Sequence, residues 1–116
     1  MQIPKPTELD KARFRALVPD DPRVEVKPVF GNLGAFVNGN MFMGLFGASI
    51  GLKLNPADAA ALAQLEGSGP FGPAERPMAG YVSLPPGMIE AAGANGWVGR
   101  SLAFVASRPA KPSGKR

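Results

Sequence analysis

Few side chains in this chain could do chemistry. Its 116 residues include no histidine and no cysteine. The usual ligand sets for zinc, copper and non-haem iron are therefore missing, and so are the Ser-His-Asp and Cys-His systems that activate a nucleophile. Carboxylates, lysines, hydroxyl groups and Tyr81 are the chemical groups that remain. We predict no catalytic residue, no metal site and no cofactor, and we expect the protein not to be an enzyme.

Three polar side chains could still form an anion site. Lys53 and Arg76 precede the predicted strand that carries Tyr81, and a fold that brought the three together would offer two cations and a hydroxyl to a ligand. Ordinary solvated charges are the alternative explanation, because lysine and arginine are mostly exposed in proteins. An apolar pocket shared by all three side chains would favour the anion site over solvated charges.

Glycines are frequent in the central segment, at positions 31, 34, 39, 44, 47 and 51. A phosphate-binding loop would end in Gly-Lys-Ser/Thr and open a helix, and neither feature follows them. Gly31-Asn32-Leu33-Gly34 has the spacing of a GxxG nucleic-acid clamp, yet it lies between predicted strands. Turns and close packing explain these glycines better.

The positive charge is concentrated at the carboxyl terminus. The chain has 13 basic and 9 acidic residues and a formal net charge of +4, and Arg108, Lys111, Lys115 and Arg116 supply the whole excess. The pI of about 9.9 is therefore poor evidence for a nucleic-acid-binding face on the fold. We expect residues 108–116 to form a disordered basic tail, and weak, salt-sensitive contacts of these four residues with nucleic-acid phosphates are the alternative.

No segment predicts membrane insertion. The first ten residues lack the apolar stretch of a signal peptide. The longest apolar run, Met41 to Phe46, is far shorter than the ~20 residues that cross a bilayer. We therefore expect a cytoplasmic protein without a membrane partner.

Turn and capping residues divide the chain into short elements. Thr7, followed by Glu8 and Asp10, predicts the start of a helix that runs to Val18. The Asn38-Gly39 pair predicts a tight hairpin, because both residues tolerate positive φ angles. The predicted strands of this half are Arg23–Lys27, Leu33–Val37, Met41–Phe46 and Ser49–Leu54.

The second half of the chain alternates between helix and strand. Its predicted elements are a helix that Asn55 caps and Gly67 ends, a loop to Pro77, a strand at Met78–Leu84, a helical turn at Met88–Ala92 and a final helix capped by Asn95. We predict one α+β domain over residues 1–107. Its antiparallel meander has about four to five strands, with helices packed mainly on one face.

The strand Met41–Phe46 is apolar on both of its faces. Helices on one side and loops or long side chains on the other would cover a central strand of this kind. The alternative is that part of the second face binds a partner protein or a second copy of the chain. Phe42 and Phe46 are then candidate interaction residues, together with Lys53, Arg76 and Tyr81.

A series of short motifs, in a fixed order, resembles a known family. The motifs are Val29-Phe30-Gly31, Gly34, Asn38-Gly39, Met41-Phe42, Ile50-Gly51-Leu52-Lys53, Pro70-Phe71, Met78, Tyr81 and Leu84-Pro85. Over about residues 7 to 107 they resemble the N-terminal domain of the TfoX (Sxy) family of bacterial competence regulators. Two departures are Val29, where the family usually has methionine, and Gly51, where it usually has an aromatic residue.

The resemblance implies an α+β fold, a regulatory or protein-interaction role and no catalytic residues to carry over. Family regulators carry a second domain after this one, whereas this sequence stops soon after the segment that resembles the first domain. We therefore expect a single-domain member. A non-enzymatic regulatory or interaction domain is our leading hypothesis. The alternatives are a nucleic-acid accessory protein that acts through the basic tail, and a small-molecule or anion binder that uses Lys53, Arg76 and Tyr81.

Overall fold

The computed structural model describes residues 3–73, 75–90 and 94–109. Within these residues lie one six-stranded sheet and four helices, which confirms the predicted α+β class with one strand more than expected. In chain order the elements are α1 (Glu8–Leu17), β1 (Val24–Val29), β2 (Asn32–Val37), β3 (Asn40–Phe46), β4 (Ser49–Lys53), α2 (Pro56–Ala63), β5 (Gly69–Pro70), β6 (Tyr81–Ser83), α3 (Pro86–Glu90) and α4 (Asn95–Ala106).

The sheet has the strand order β1-β2-β3-β4-β6-β5, with every neighbouring pair antiparallel. Strands β1 to β4 follow one another as a meander, and β1 and β5 are the outer strands. The β2–β3 turn at Asn38-Gly39 has φ angles of 53° and 78°, the two positive values that a type I′ hairpin requires. The predicted hairpin is therefore confirmed.

Local capping explains where the first two helices begin. Thr7 Oγ1 accepts a hydrogen bond from the Asp10 amide at 3.0 Å, and the Asp10 carboxylate accepts one from the Thr7 amide at 2.9 Å. Asn55 Oδ1 likewise accepts from the Asp58 amide at 2.8 Å, with Pro56 at the first helical position. Both predicted helix starts are confirmed.

Several predicted boundaries are wrong. α2 ends at Ala63, before the predicted stop at Gly67. α4 begins at Asn95 itself, with Ala94 in the N-cap position. The strand predicted from Met78 is present only from Tyr81, because Gly80 has a φ of 85° and places a turn before it. The end of the helical turn predicted at Met88–Ala92 lies outside the described residues.

The hydrophobic core lies between the sheet and the helices. α4 packs across β2, β3 and β4, α2 packs on β6, and α1 contacts α3. The buried residues that the two layers contribute include Ala35, Met43, Leu45, Ile50 and Leu52 from the sheet and Val98, Leu102 and Val105 from α4. The helices therefore cover one face of the sheet, as predicted, and leave the other face for different cover.

No described helix is long and apolar enough to span a bilayer.

Candidate functional site

A row of three glycines crosses the sheet face that α4 does not cover. Gly34 of β2 lies opposite Gly44 of β3, which in turn lies opposite Gly51 of β4. A Cβ atom at Gly51 would overlap the ring of Phe71, and one at Gly44 would lie 3.2 Å from the same ring. The missing side chains therefore let an aromatic ring lie directly on the backbone of the sheet.

Phe71 belongs to the loop between β5 and β6 and is 2% exposed. Its ring contacts Phe46 edge to face, with centroids 6.2 Å apart, and lies 6.0 Å from the ring of Tyr81. The Met78 amide donates a hydrogen bond to the Phe71 carbonyl at 2.8 Å, which closes the loop on itself. The loop is thus held across the glycine row by an aromatic cluster and a backbone hydrogen bond.

Beside Phe71 an apolar groove of about 440 Å³ opens on this face. Its walls come from four parts of the chain: Ile3 near the amino terminus, the β1–β2 hairpin, β3 and the loop that carries Phe71. The wall residues used below are Val29, Phe30, Met41, Phe46, Phe71 and Met78. Because the loop and the hairpin both rise above the sheet, they turn a flat face into a concave one.

Two polar side chains line the groove among the described residues, and they differ in kind. Asn32 is 4% exposed; its amide nitrogen donates to the Pro4 carbonyl at 3.1 Å, and its amide oxygen accepts from the Gly47 amide at 2.8 Å. Arg76 is exposed and is the charged residue of the lining. Its guanidinium has no ion pair or hydrogen bond within the part of the chain that the structure describes. Asn32 is therefore structural, whereas Arg76 has donors to offer.

At the rim of the groove stands Phe30, the first residue of the β1–β2 turn. It is 80% exposed and has a φ of 49°, and Gly31 follows with a φ of 79°. A non-glycine residue in this left-handed conformation costs about 1–2 kcal/mol. The sequence predicts a turn or close packing at Gly31, but it does not single out Phe30 as a candidate interaction residue.

The structure places Lys53 and Tyr81 together, whereas of the three residues Arg76 alone lines the groove. Lys53 and Tyr81 pair across β4 and β6, with the ammonium 5.6 Å from the ring centroid. The Tyr81 hydroxyl donates to the Met41 carbonyl at 2.7 Å, and burial raises the pKa of Tyr81 to about 12. Arg76 lines the groove, and Lys53 and Tyr81 do not. The three side chains thus do not line this groove together.

The two phenylalanines proposed from the sequence lie on opposite sides of the sheet. Phe42 is 0% exposed and belongs to the core under the helices, so its side chain has no surface to offer in this structure. Phe46 is half-buried and forms part of the groove wall.

The predicted tail is described only at its beginning. The Arg108 guanidinium lies 5.4 Å from the ring centroid of Phe104, and Lys111, Lys115 and Arg116 lie outside the described residues. Within residues 3–73, 75–90 and 94–109, no group of three acidic side chains is arranged to hold a metal ion.

Comparison with known proteins gives one match. A family model for the TfoX N-terminal domain matches residues 16–105. No curated protein and no solved structure matches the chain. The matched residues include all six strands, the Phe71 loop and most of α4, which is most of the 116-residue chain. The chain therefore belongs to the TfoX N-terminal domain family.

Proposed function

We propose that the protein is a non-enzymatic regulatory domain that binds an apolar segment of a partner protein at the tip of its β1–β2 hairpin. The observation that carries the proposal is Phe30, which is 80% exposed and held at a φ of 49°. Asparagine or glycine would suit this turn position better. A strained conformation and an unburied ring both cost stability, and burial of the ring by a partner would offset that cost.

The surroundings of Phe30 favour a protein partner over a nucleic acid. Val29 and Ile3 lie beside it on the same groove, and Ile3 is itself exposed. Aromatic and aliphatic side chains of this kind form the buried centre of protein interfaces. Nucleic-acid binding depends instead on several basic contacts with phosphates, and the groove lining offers Arg76 alone among the described residues.

The test is comparative capture from a nuclease-treated lysate of the native source. Phe30→Asn creates an Asn-Gly turn like the one at residues 38 and 39, so it keeps the hairpin and removes the ring. Val26→Thr is the matched control, because Val26 is an exposed apolar residue of β1, the strand before the turn, and does not line the groove. We expect a defined protein to bind the parent and Val26→Thr, and to be depleted at least about tenfold on Phe30→Asn, as for an interface anchor.

The same variant should be more stable than the parent. Asparagine tolerates the left-handed conformation better than phenylalanine does, which is worth about 1 kcal/mol and would be measured by urea unfolding. Retention of the partner by Phe30→Asn would overturn the proposal. Self-association through the same surface is tested by sedimentation equilibrium: a dimer that Phe30→Asn dissociates would make the partner a second copy of the chain.

A further inference from the structure

The groove has the size and the walls of a small-molecule site. Its volume of about 440 Å³ falls within the roughly 300–1,000 Å³ typical of ligand pockets. Phe71 closes one side over the glycine row, and Met41 and Met78 contribute thioether side chains. Methionine adapts its shape to an apolar ligand more readily than branched side chains do.

The polar groups of the groove restrict the chemistry of a ligand. The Asn32 side chain donates one N–H to the Pro4 carbonyl, and its amide oxygen accepts a hydrogen bond from the Gly47 amide. Because the residue is 4% exposed, Asn32 holds the backbone in place rather than presenting its polar atoms to a ligand. A ligand with several polar groups would leave them unpaired against these walls, which is costly. The interior therefore favours an apolar ligand body.

Arg76 supplies the charge of the groove lining within the described part of the chain. A planar guanidinium donates two parallel hydrogen bonds to a carboxylate, and that of Arg76 has no other partner among the described residues. A dianionic phosphate would need more donors than one arginine provides. We infer that the groove binds a small organic monoacid with an apolar body, whose carboxylate pairs with Arg76. This activity goes beyond the proposed function, since it involves no partner protein.

A matched series of ligands tests the inference. Phenylbutyrate, phenylbutanol and phenylbutylamine share one apolar body and differ only in the charge of the end group. We expect each compound that binds in the groove to shift the amide NMR signals of Gly44, Phe71 and Met78. We expect the acid to bind at least about fivefold more tightly than the alcohol, and the amine to bind most weakly.

Variants assign this preference to its residue. Arg76→Gln should remove the preference for the acid and leave the affinity for the alcohol within about twofold, because a glutamine cannot form the charged bidentate pair. Arg15→Gln, an exposed arginine of α1, is the control and should leave the series unchanged. Equal affinity for the three compounds, a preference that survives Arg76→Gln, or no shifts at the three groove amides would each overturn the inference. None of these outcomes bears on Phe30, so the hairpin-tip proposal stands or falls separately.

Discussion

Gly51 and Phe71 depend on each other for their packing, and the free energy of unfolding of their variants can measure this dependence. Gly51 lacks the side chain that would otherwise occupy the space of the Phe71 ring. The family usually has an aromatic residue at this position, and here an aromatic ring arrives from another part of the chain. Gly51 and Phe71 together thus cover the sheet as one larger side chain would.

This pairing predicts a strong coupling between two substitutions. Gly51→Ala should lower the free energy of unfolding by about 2–3 kcal/mol, because the new Cβ displaces the Phe71 ring. In a Phe71→Ala background the same change should cost well under 1 kcal/mol, and a double-mutant cycle by urea unfolding measures the difference. Gly69→Ala is the control, since a Cβ there meets nothing within 4 Å. Additive effects of the two substitutions would contradict the coupling.

Tyr81 predicts a pH dependence at alkaline pH. Burial raises its pKa from 10.0 to about 12, so the folded state favours the neutral phenol, which donates to the Met41 carbonyl. Its contribution to stability is fully present below pH 10 and is lost as the pH rises through about 12. Tyr81 is the single tyrosine of the chain, so the absorbance of tyrosinate reports it alone. We expect a midpoint near 12 in the folded protein and near 10 in denaturant, and equal midpoints would contradict this.

Secondary-structure elements are joined by a serine that sequence patterns do not reveal. The pairing of β2 with β3 shifts register between Ala35 and Phe36, so Phe42 has no cross-strand partner at this bulge. Ser101 of α4 is fully buried, and its hydroxyl lies 2.7 Å from the carbonyl oxygens of both Phe42 and Lys53. One helix side chain thus contacts the backbone of both β3 and β4, and its single hydroxyl hydrogen is shared between the two carbonyls.

Ser101→Ala should therefore destabilise the domain by about 1–3 kcal/mol, the cost of leaving a buried carbonyl without its donor. Ser107→Ala is the control, because the Ser107 hydroxyl is exposed and bonds only to its own helix at the Phe104 carbonyl. Urea unfolding measures both, and amide hydrogen exchange near Phe42 should accelerate in Ser101→Ala alone. A loss equal to that of the control would show that the link between α4 and the sheet is unimportant.

The elements predicted correctly from the sequence are those whose position is determined by residues close together in the chain. Thr7, Asn55 and the Asn38-Gly39 pair act through hydrogen bonds and φ angles within four residues, so their signals are local. The two-residue strand β5 was missed because pairing with β6, thirteen or so residues away, is what makes it a strand. The same holds for the groove, whose walls meet only after the Phe71 loop crosses the sheet. Of the candidate site residues, Phe46 and Arg76 line this groove, and no local pattern distinguished them from Phe42 or Lys53.

At the scale of the whole molecule, the charge and the fold occupy different parts of the chain. The last described residues are tied to the β2–β3 turn: Asn38 donates to the Ala106 carbonyl at 3.4 Å and Asn40 to the Pro109 carbonyl at 3.1 Å. The basic residues Lys111, Lys115 and Arg116 all follow this attachment. We propose that the folded domain ends at Pro109 and that the segment after it carries any affinity for nucleic acid.

A chain that stops after Pro109 tests this division. It loses three basic residues and no acidic ones, so the formal net charge falls from +4 to +1. We expect its thermal midpoint to stay within about 2 °C of the parent, since no described contact of the fold is removed. Fluorescence anisotropy at low and high salt measures binding to a DNA duplex. We expect this binding to be weak in the parent and absent in the truncated chain. Retained, salt-sensitive binding would place the contact on the folded domain instead.

The outer strands of the sheet affect whether the domain can polymerise at high protein concentration. β1 contains Pro28, which has no amide hydrogen and follows the charged Lys27 near the end of the strand. β5 is two residues long and includes Pro70. Neither rim offers an incoming chain the long row of free amides and carbonyls that templates fibre growth. These features disfavour polymerisation through the sheet edges. They leave the face of the sheet, where side chains make the contacts, as the surface on which we expect other molecules to bind.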